Sequence, residues 1–229
     1  MAPSAVIAVI SRGNPAIECC RTLMHAVGNG WAVDLRSASM YVDAERNRLV
    51  ADFLDQMDFE WMVWFDDDMS IDIADLELLT RSTGDVEQPV VSGVYASMFD
   101  DGPRALAYRV EGDRHLAYTV PELYALPRVS EHRVEVDSVG AGCLALHRST
   151  LEHLRANTFN VREGIHPWFI EPTWRGRVLG EDHGLCSRLR AMGIPILVDT
   201  RVRAKHYKTV ELNVPPPPSG EPDVAPHEH

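Results

Sequence analysis

"WMVWFDDDMSID" (61–72) sets an apolar run directly against three consecutive aspartates, Asp66, Asp67 and Asp68. An unbroken apolar and aromatic run of this length reads as a strand buried on both faces. Three adjacent carboxylates repel one another at neutral pH. They are either a solvated acidic turn or a place where something positive sits, and the flanking sequence bears on the choice.

Upstream, "AVIAVIS" (5–11) is a continuous β-branched run that predicts a first buried strand. After "RGNP", Ile17, Cys20, Met24 and Val27 recur at helical spacing, and "GNG" (28–30) stops that helix. "WAVDL" (31–35) predicts a second strand, and Leu49, Val50, Phe53, Leu54 and Met57 a second helix beginning near Asp43. Downstream, Asp72 is placed to cap a helix carrying Leu76, Leu78 and Leu79, and "PVVSGVY" (89–95) predicts a fourth strand. Alternating strands and helices imply an α/β fold with right-handed crossovers and a mostly parallel sheet flanked by helices. In such sheets ligands gather outside the carboxyl ends of the strands, which is where Asp66, Asp67 and Asp68 fall.

The second half is less regular. Residues 96–137 read as short strands and turns, a smaller mixed region covering the sheet edge. "VEVDSVGAGCLALH" (134–147) is strand-like but interrupted by Gly140 and Gly142, where the strand bends or something approaches closely. Ser149 with Glu152 forms a capping-box pattern. In "GEDHGLCSRLRAMG", Leu185, Leu189 and Met192 line one helix face and Gly193 ends it, and "PILVD" (195–199) is a last strand. The expected organisation is one domain over 1–210, with halves 1–99 and 100–210, followed by a Pro-rich disordered tail over 211–229.

Composition removes several function classes. A chain of 229 residues with 45% hydrophobic and 24% charged residues suits an ordinary globular protein. A net charge of -12 argues against a broad nucleic-acid footprint, although Arg201, Arg203, Lys205 and Lys208 form one late basic cluster. No apolar run approaches the roughly 20 residues of a membrane helix. "MAPSAVIAVISRG" lacks the basic region of a signal peptide, so a cytoplasmic location without membrane insertion is expected. Four cysteines without CxxC spacing suggest neither zinc nor a disulfide framework, and Cys143 and Cys186 read as small core fillers.

Carboxylates at a strand end make a hard-oxygen site suited to Mg²⁺ or Mn²⁺. Asp66 and Asp68, spaced as Asp-x-Asp, can reach one cation directly and through water, presenting positive charge to a diphosphate; an acidic surface turn is the plainer alternative. Glu181 and Asp182 open a helix, where the macrodipole favours ionised carboxylates, and a base that takes a proton from a hydroxyl must stay ionised until then. Arg12 and Asp34 follow the first two strands and can meet ribose or base, though both are also ordinary strand-end residues.

The ordered series "AVIAVISRGNP", "VDAERNRLVADFL", "MVWFDDDM", "PVVSGVY", "VDSVGAGCLALHRSTLEHL" and "LGEDHGLCSRLRAMGIPILVDTRVRAKH" spans roughly residues 5–208. It resembles the small stand-alone glycosyltransferases of the GT-A fold, family-2-like, of bacterial or phage type. The resemblance implies a nucleotide-diphosphate sugar donor of UDP or GDP type, with Mn²⁺ or Mg²⁺ on Asp66 and Asp68 and His206 joining the metal. It places Arg46, Asn47, Asp66 and Asp67 beside the donor, makes Asp182 the catalytic base of an inverting transfer, and gives Glu181 an orienting role. The sequence has ten histidines, and His166 and His183 compete with His206. Trp168 and Trp174 offer faces to an acceptor ring or pack inward. The acceptor stays open between saccharide, protein and modified nucleic acid. Two alternatives remain. One is a DxD phosphohydrolase or phosphotransferase with Asp66 as nucleophile, which needs a later lysine that the chain first supplies at Lys205. The other is a non-catalytic sugar- or cation-binding module.

Overall fold

The apolar runs assemble into one eight-stranded sheet in the computed structural model. The structure describes residues 4–38, 41–81, 89–112, 114–157, 168–174 and 177–208, with the backbone alone at 173, 174 and 177. The stretch 211–229, His166 and the Trp174 side chain lie outside the described residues. The strands are β1 (Ala5–Ser11), β2 (Ala32–Ser37), β3 (Trp61–Phe65), β4 (Val90–Val94), β5 (Arg128–Ser130), β6 (Arg133–Val136), β7 (Cys143–His147) and β8 (Ile196–Arg203). Their spatial order is β2-β1-β3-β7-β4-β8-β6-β5. Parallel pairing joins β1 to β2 and β3, and β4 to β8; β7 and β6 run against their neighbours. The helix-flanked α/β sheet expected from the sequence is thus present; six of its eight strands share one direction, and the two reversed strands make four of its seven pairings antiparallel.

Local periodicity does not reveal that β7 inserts antiparallel between β3 and β4, with Cys143 opposite Phe65. This register carries Gly142 alongside Asp66, whose backbone N–H donates to the Gly142 carbonyl at 3.2 Å. The glycine-containing stretch therefore ends at the aspartates.

Helices cover both faces, which is why β3 has no polar alternation. Met62 and Trp64 point into one core with residues of α2 (Val42–Gln56), α5 (Arg148–Asn157) and α6 (Glu181–Ala191). Trp61, Val63 and Phe65 point into the other, with residues of α1 (Ile17–Gly28) and α3 (Ile73–Thr80). Leu49, Leu76, Leu151 and Leu189 are fully buried, each contributing about 1.5–3 kcal/mol. A short α4 (Val120–Tyr124), opened by a Thr119–Glu122 capping box, completes the helices.

Three local expectations are corrected. The apolar stripe read on α1 faces outward: Ile17, Met24 and Val27 are 61%, 74% and 57% exposed. The buried stripe is Cys19, Thr22, Leu23 and Ala26, which has the same helical spacing but smaller residues that let α1 lie close to the sheet. Asp72 stands at the N-cap of α3 without a side-chain capping bond. Finally, α5 begins at Arg148, one residue before Ser149. Arg148 instead donates to the carbonyls of Phe53, Leu54, Met57 and Phe59 and so terminates α2.

Candidate active site

Asp66, Asp67 and Asp68 lie at the carboxyl end of β3, and the chain beyond β8 returns beside them. Lys205–His206 pairs antiparallel with Met69–Ser70, and the Tyr207 N–H donates to the Asp68 carbonyl at 2.8 Å. This brings His206 Nε2 to 3.2 Å and Lys208 Nζ to 2.6 Å from Asp68 Oδ2. His206 Nδ1 lies 3.0 Å from the Ala96 carbonyl. A carbonyl only accepts, so Nδ1 carries a proton and donates to Ala96, which leaves Nε2 as the ring atom that faces Asp68. Burial by itself raises the Asp68 pKa, but hydrogen bonds from His206 and Lys208 outweigh it and bring it to about 2. Asp68 is held ionised.

Asp66 has the opposite environment. Its side chain is 41% exposed yet closely surrounded by protein atoms, and this desolvation raises its pKa. The Arg46 charge opposes that rise, whereas Asp68 and Asp182 add to it. Arg46 comes from α2, is 7% exposed, and places Nη2 3.0 Å from Asp66 and Nη1 3.3 Å from Glu181. Its guanidinium also lies over Trp64 and Phe169, at 5.5 and 5.3 Å from the ring centroids. Burial raises the Glu181 pKa as well, again against Arg46. One cation thus ties the aspartate loop to the first turn of α6.

The bend at Gly140–Gly142 lies between Asp66 and Asp182. Gly142 N–H donates to Tyr95 Oη at 3.0 Å. A Cβ at Gly142 would sit 2.7 Å from Asp66 Oδ2, and one at Gly140 would run into Tyr95 Oη and lie 3.6 Å from Asp182 Oδ2. Close approach is why these positions are glycine. Tyr95 is buried, and desolvation together with the Asp66 and Asp182 charges keeps its phenol protonated. Asp182 Oδ1 accepts the His183 N–H at 2.7 Å in the first turn of α6. At Gly184 any side chain would meet the Ile170 carbonyl, so α6 packs hard against the 168–172 segment.

Asp66, Asp68, Arg46, Glu181, Asp182 and His206 are therefore brought together. Asp67 is half-buried, and its carbonyl accepts the Ala16 N–H. Asn47 is buried with both ends of its amide engaged: it donates to the Phe169 carbonyl and accepts from the Trp168 and Phe169 N–H groups. It fixes the segment that packs on Arg46. Asp34 is tied to Arg36, which also reaches Asp52, at 2.7 and 2.6 Å. Arg12 is exposed beyond β1. Trp168 is buried and donates to the Leu151 carbonyl, so it packs inward. Cys143 and Cys186 are core fillers whose thiols burial pushes up to about 12 and about 11.

Sequence reasoning missed the roles of Tyr95 and Lys208. Lys208 stands two residues after His206, and in an extended segment that spacing puts both on one side, a usable signal. Tyr95 gave none, since it closes an apolar run. A separate cavity of about 170 Å³, lined by Arg21, Ile71, Asp72, Arg203 and Lys205 among others, contains none of the site carboxylates.

Among the described residues no three His, Cys, Asp or Glu side chains stand close enough to cage a metal ion. Asp68 and His206 do stand together. Mg²⁺-type ions keep several waters and take one or two carboxylates plus substrate phosphates, so this donor pair, with Asp66 nearby, fits such an ion.

No protein-family model matches the chain, and no curated protein matches it in sequence. Solved structures share its fold. The A197 protein from STIV superposes with a TM-score of 0.57 over 90% of this chain and 86% of that one, at 18% identity. GalNAc-T7, solved with UDP, GalNAc and Mn²⁺, superposes with a TM-score of 0.60 over 90% of this chain and 44% of that one, at 10% identity. At these identities the likeness is one of fold: the chain has a GT-A-like, glycosyltransferase-type fold.

Proposed function

We propose that the chain is a metal-dependent glycosyltransferase of the GT-A type, transferring a sugar from a UDP- or GDP-type donor to an acceptor hydroxyl with inversion. The observation that carries this reading is the convergence of Asp68 and His206, Asp66 with Arg46 and Glu181, and Asp182 around one bend at the carboxyl end of β3. The fold shared with a transferase solved with UDP and Mn²⁺ supports it. Residues 1–99 would supply the donor half and 100–210 the acceptor half.

A divalent cation held by Asp68 and His206, with Asp66 beside them, would supply positive charge against the diphosphate leaving group. Asp182 takes the proton of the acceptor hydroxyl as that oxygen bonds to the anomeric carbon. The anomeric carbon–oxygen bond breaks, and its electron pair leaves on the diphosphate. Glu181, paired with Arg46, stands next to this base and orients hydroxyls. Arg46 holds Asp66 and Glu181 at fixed positions, and Tyr95 holds the Gly142 backbone.

The test is release of nucleoside diphosphate from a panel of nucleotide sugars, with and without Mn²⁺, for the native chain and Asp182→Asn. The variant should lose transfer by about 10²–10⁴-fold while keeping nucleotide binding. Unchanged turnover removes Asp182 from its role. The phosphohydrolase alternative gains a lysine at the site, but Lys208 contacts Asp68 rather than the nucleophile that chemistry needs, Asp66. Hydrolysis of simple phosphate esters would favour it.

A further inference from the structure

Beside Asp182, on the acceptor side, three rings from separate segments meet. Tyr108 comes from the strand Ala107–Glu111, His115 from Arg114–Ala117, and His183 from α6. The His115 and His183 centroids are 4.4 Å apart at 62°, and those of Tyr108 and His183 are 4.7 Å apart at 80°. Ser138 Oγ, 2.7 Å from His183 Nδ1, fixes that ring. We propose that Tyr108, His115 and His183 form an acceptor subsite that takes the ring of an uncharged saccharide and sets its hydroxyl toward Asp182. This rests on the transferase reading above and names its acceptor class.

Packing alone would not select these residues. All three are half-buried, so each keeps part of its surface for a ligand. His115 Nδ1 is buried without a hydrogen-bond partner among the described residues, an arrangement that an apolar side chain would avoid. A pyranose suits such a wall, because its C–H face lies on π surfaces while its hydroxyls meet ring nitrogens and hydroxyls. The wall also suits a neutral ligand. Arg109 is paired with Glu111 at 2.8 Å and Arg190 with Asp137 at 2.9 Å, so these two cations are already satisfied internally. Burial first, then His183 and Arg190, lower the His115 pKa and keep its ring uncharged at neutral pH. An anionic acceptor would ask for unpaired cations there.

Two readouts test the subsite. In the full chain with Mn²⁺, neutral methyl glycosides and their uronic-acid counterparts are titrated while the His115 and His183 ring resonances are followed by NMR. Neutral members should shift both rings. No shift from any glycoside, or tighter binding of the uronic acids, overturns the proposal whether or not any donor turns over. Where donor turnover is present, His115→Leu should raise the saccharide KM about tenfold. His115→Phe, which keeps a ring face, should restore most of that affinity. An acceptor KM within twofold of native in the Leu variant overturns the proposal, with donor hydrolysis showing separately that the transferase reading stands.

Discussion

Replacing Arg46 with Met should destabilise the protein by an amount that depends on pH. Arg46 is 7% exposed and faces two carboxylates, Asp66 at 3.0 Å and Glu181 at 3.3 Å. Met keeps most of the apolar stem and removes the charge, together with the guanidinium contacts over Trp64 and Phe169. Breaking a buried pair by deleting one partner costs about 3–5 kcal/mol. Because Asp66 still meets solvent, the low end applies, about 3 kcal/mol, or roughly 6–12 °C in Tm for a domain of this size.

The pH dependence separates charge from packing. Asp66 and Glu181 already have pKa values raised by burial, with Arg46 the main opposing influence. A carboxyl whose folded pKa is raised favours folding while protonated, and that benefit is lost as pH rises through the folded value. Without Arg46 both values rise further, so the deficit is largest at neutral pH and shrinks as pH falls back toward the ordinary carboxylate range. Denaturant unfolding of the native chain and Arg46→Met at pH 7.5 and pH 5 measures both quantities. An equal deficit at the two pH values would assign Arg46 to packing, and no deficit would refute the argument altogether.

Asp68→Ala should weaken Mn²⁺-dependent nucleotide binding at least tenfold by calorimetry, whereas Asp67→Ala should stay within about threefold, because His206 and Lys208 address Asp68 alone. Gly142→Ala places a Cβ 2.7 Å from Asp66 Oδ2 and should cost about 1–3 kcal/mol. In an Asp66→Ala background that cost should fall, and an undiminished cost would move the clash to Tyr95. Asp199 is fully buried between Arg201 at 2.7 Å and Arg133 at 3.4 Å, so Asp199→Ala should cost about 3–5 kcal/mol at pH 7. Burial opposes its ionisation, but Arg201 hydrogen bonds outweigh that and lower its pKa. The stability it provides is therefore lost as pH falls through that depressed value, and the gap between native and variant should close in acid.

The strands and helices were legible because each is an uninterrupted local pattern: Trp61–Phe65 has no polar residue, and Glu181–Ala191 opens with acids and closes on Gly193. What local pattern does not encode is pairing at long range. The insertion of β7 between β3 and β4 depends on register between residues about 80 apart, and no periodicity announces it. On α1 two stripes share the 3.6-residue period, and the smaller one is buried because closeness to the sheet outweighs side-chain size. Asn47 shows a different limit. Its place in the chain suggested donor contact, yet its amide is taken up by the backbone of Trp168 and Phe169, a partner 121 residues or more away.

The three aspartates stop being equivalent once their neighbours are known. Arg46 stands against Asp66, while His206 and Lys208 stand against Asp68, and the two carboxyls are driven to opposite sides of the ordinary value. Pairs of titratable groups whose environments separate them mark a division of labour. The strongly ionised Asp68, beside an imidazole whose other nitrogen is anchored to Ala96, is the carboxylate that the proposed reading assigns to the cation. Asp66, tied through Arg46 to Glu181 and pressed against Gly142, couples that position to the helix carrying Asp182. The middle residue faces neither partner set, and its carbonyl serves the start of α1 through Ala16. The mutual repulsion of an Asp-Asp-Asp run is thus relieved by two cationic groups reaching it from opposite ends of the chain, one from α2 and one from the segment after β8.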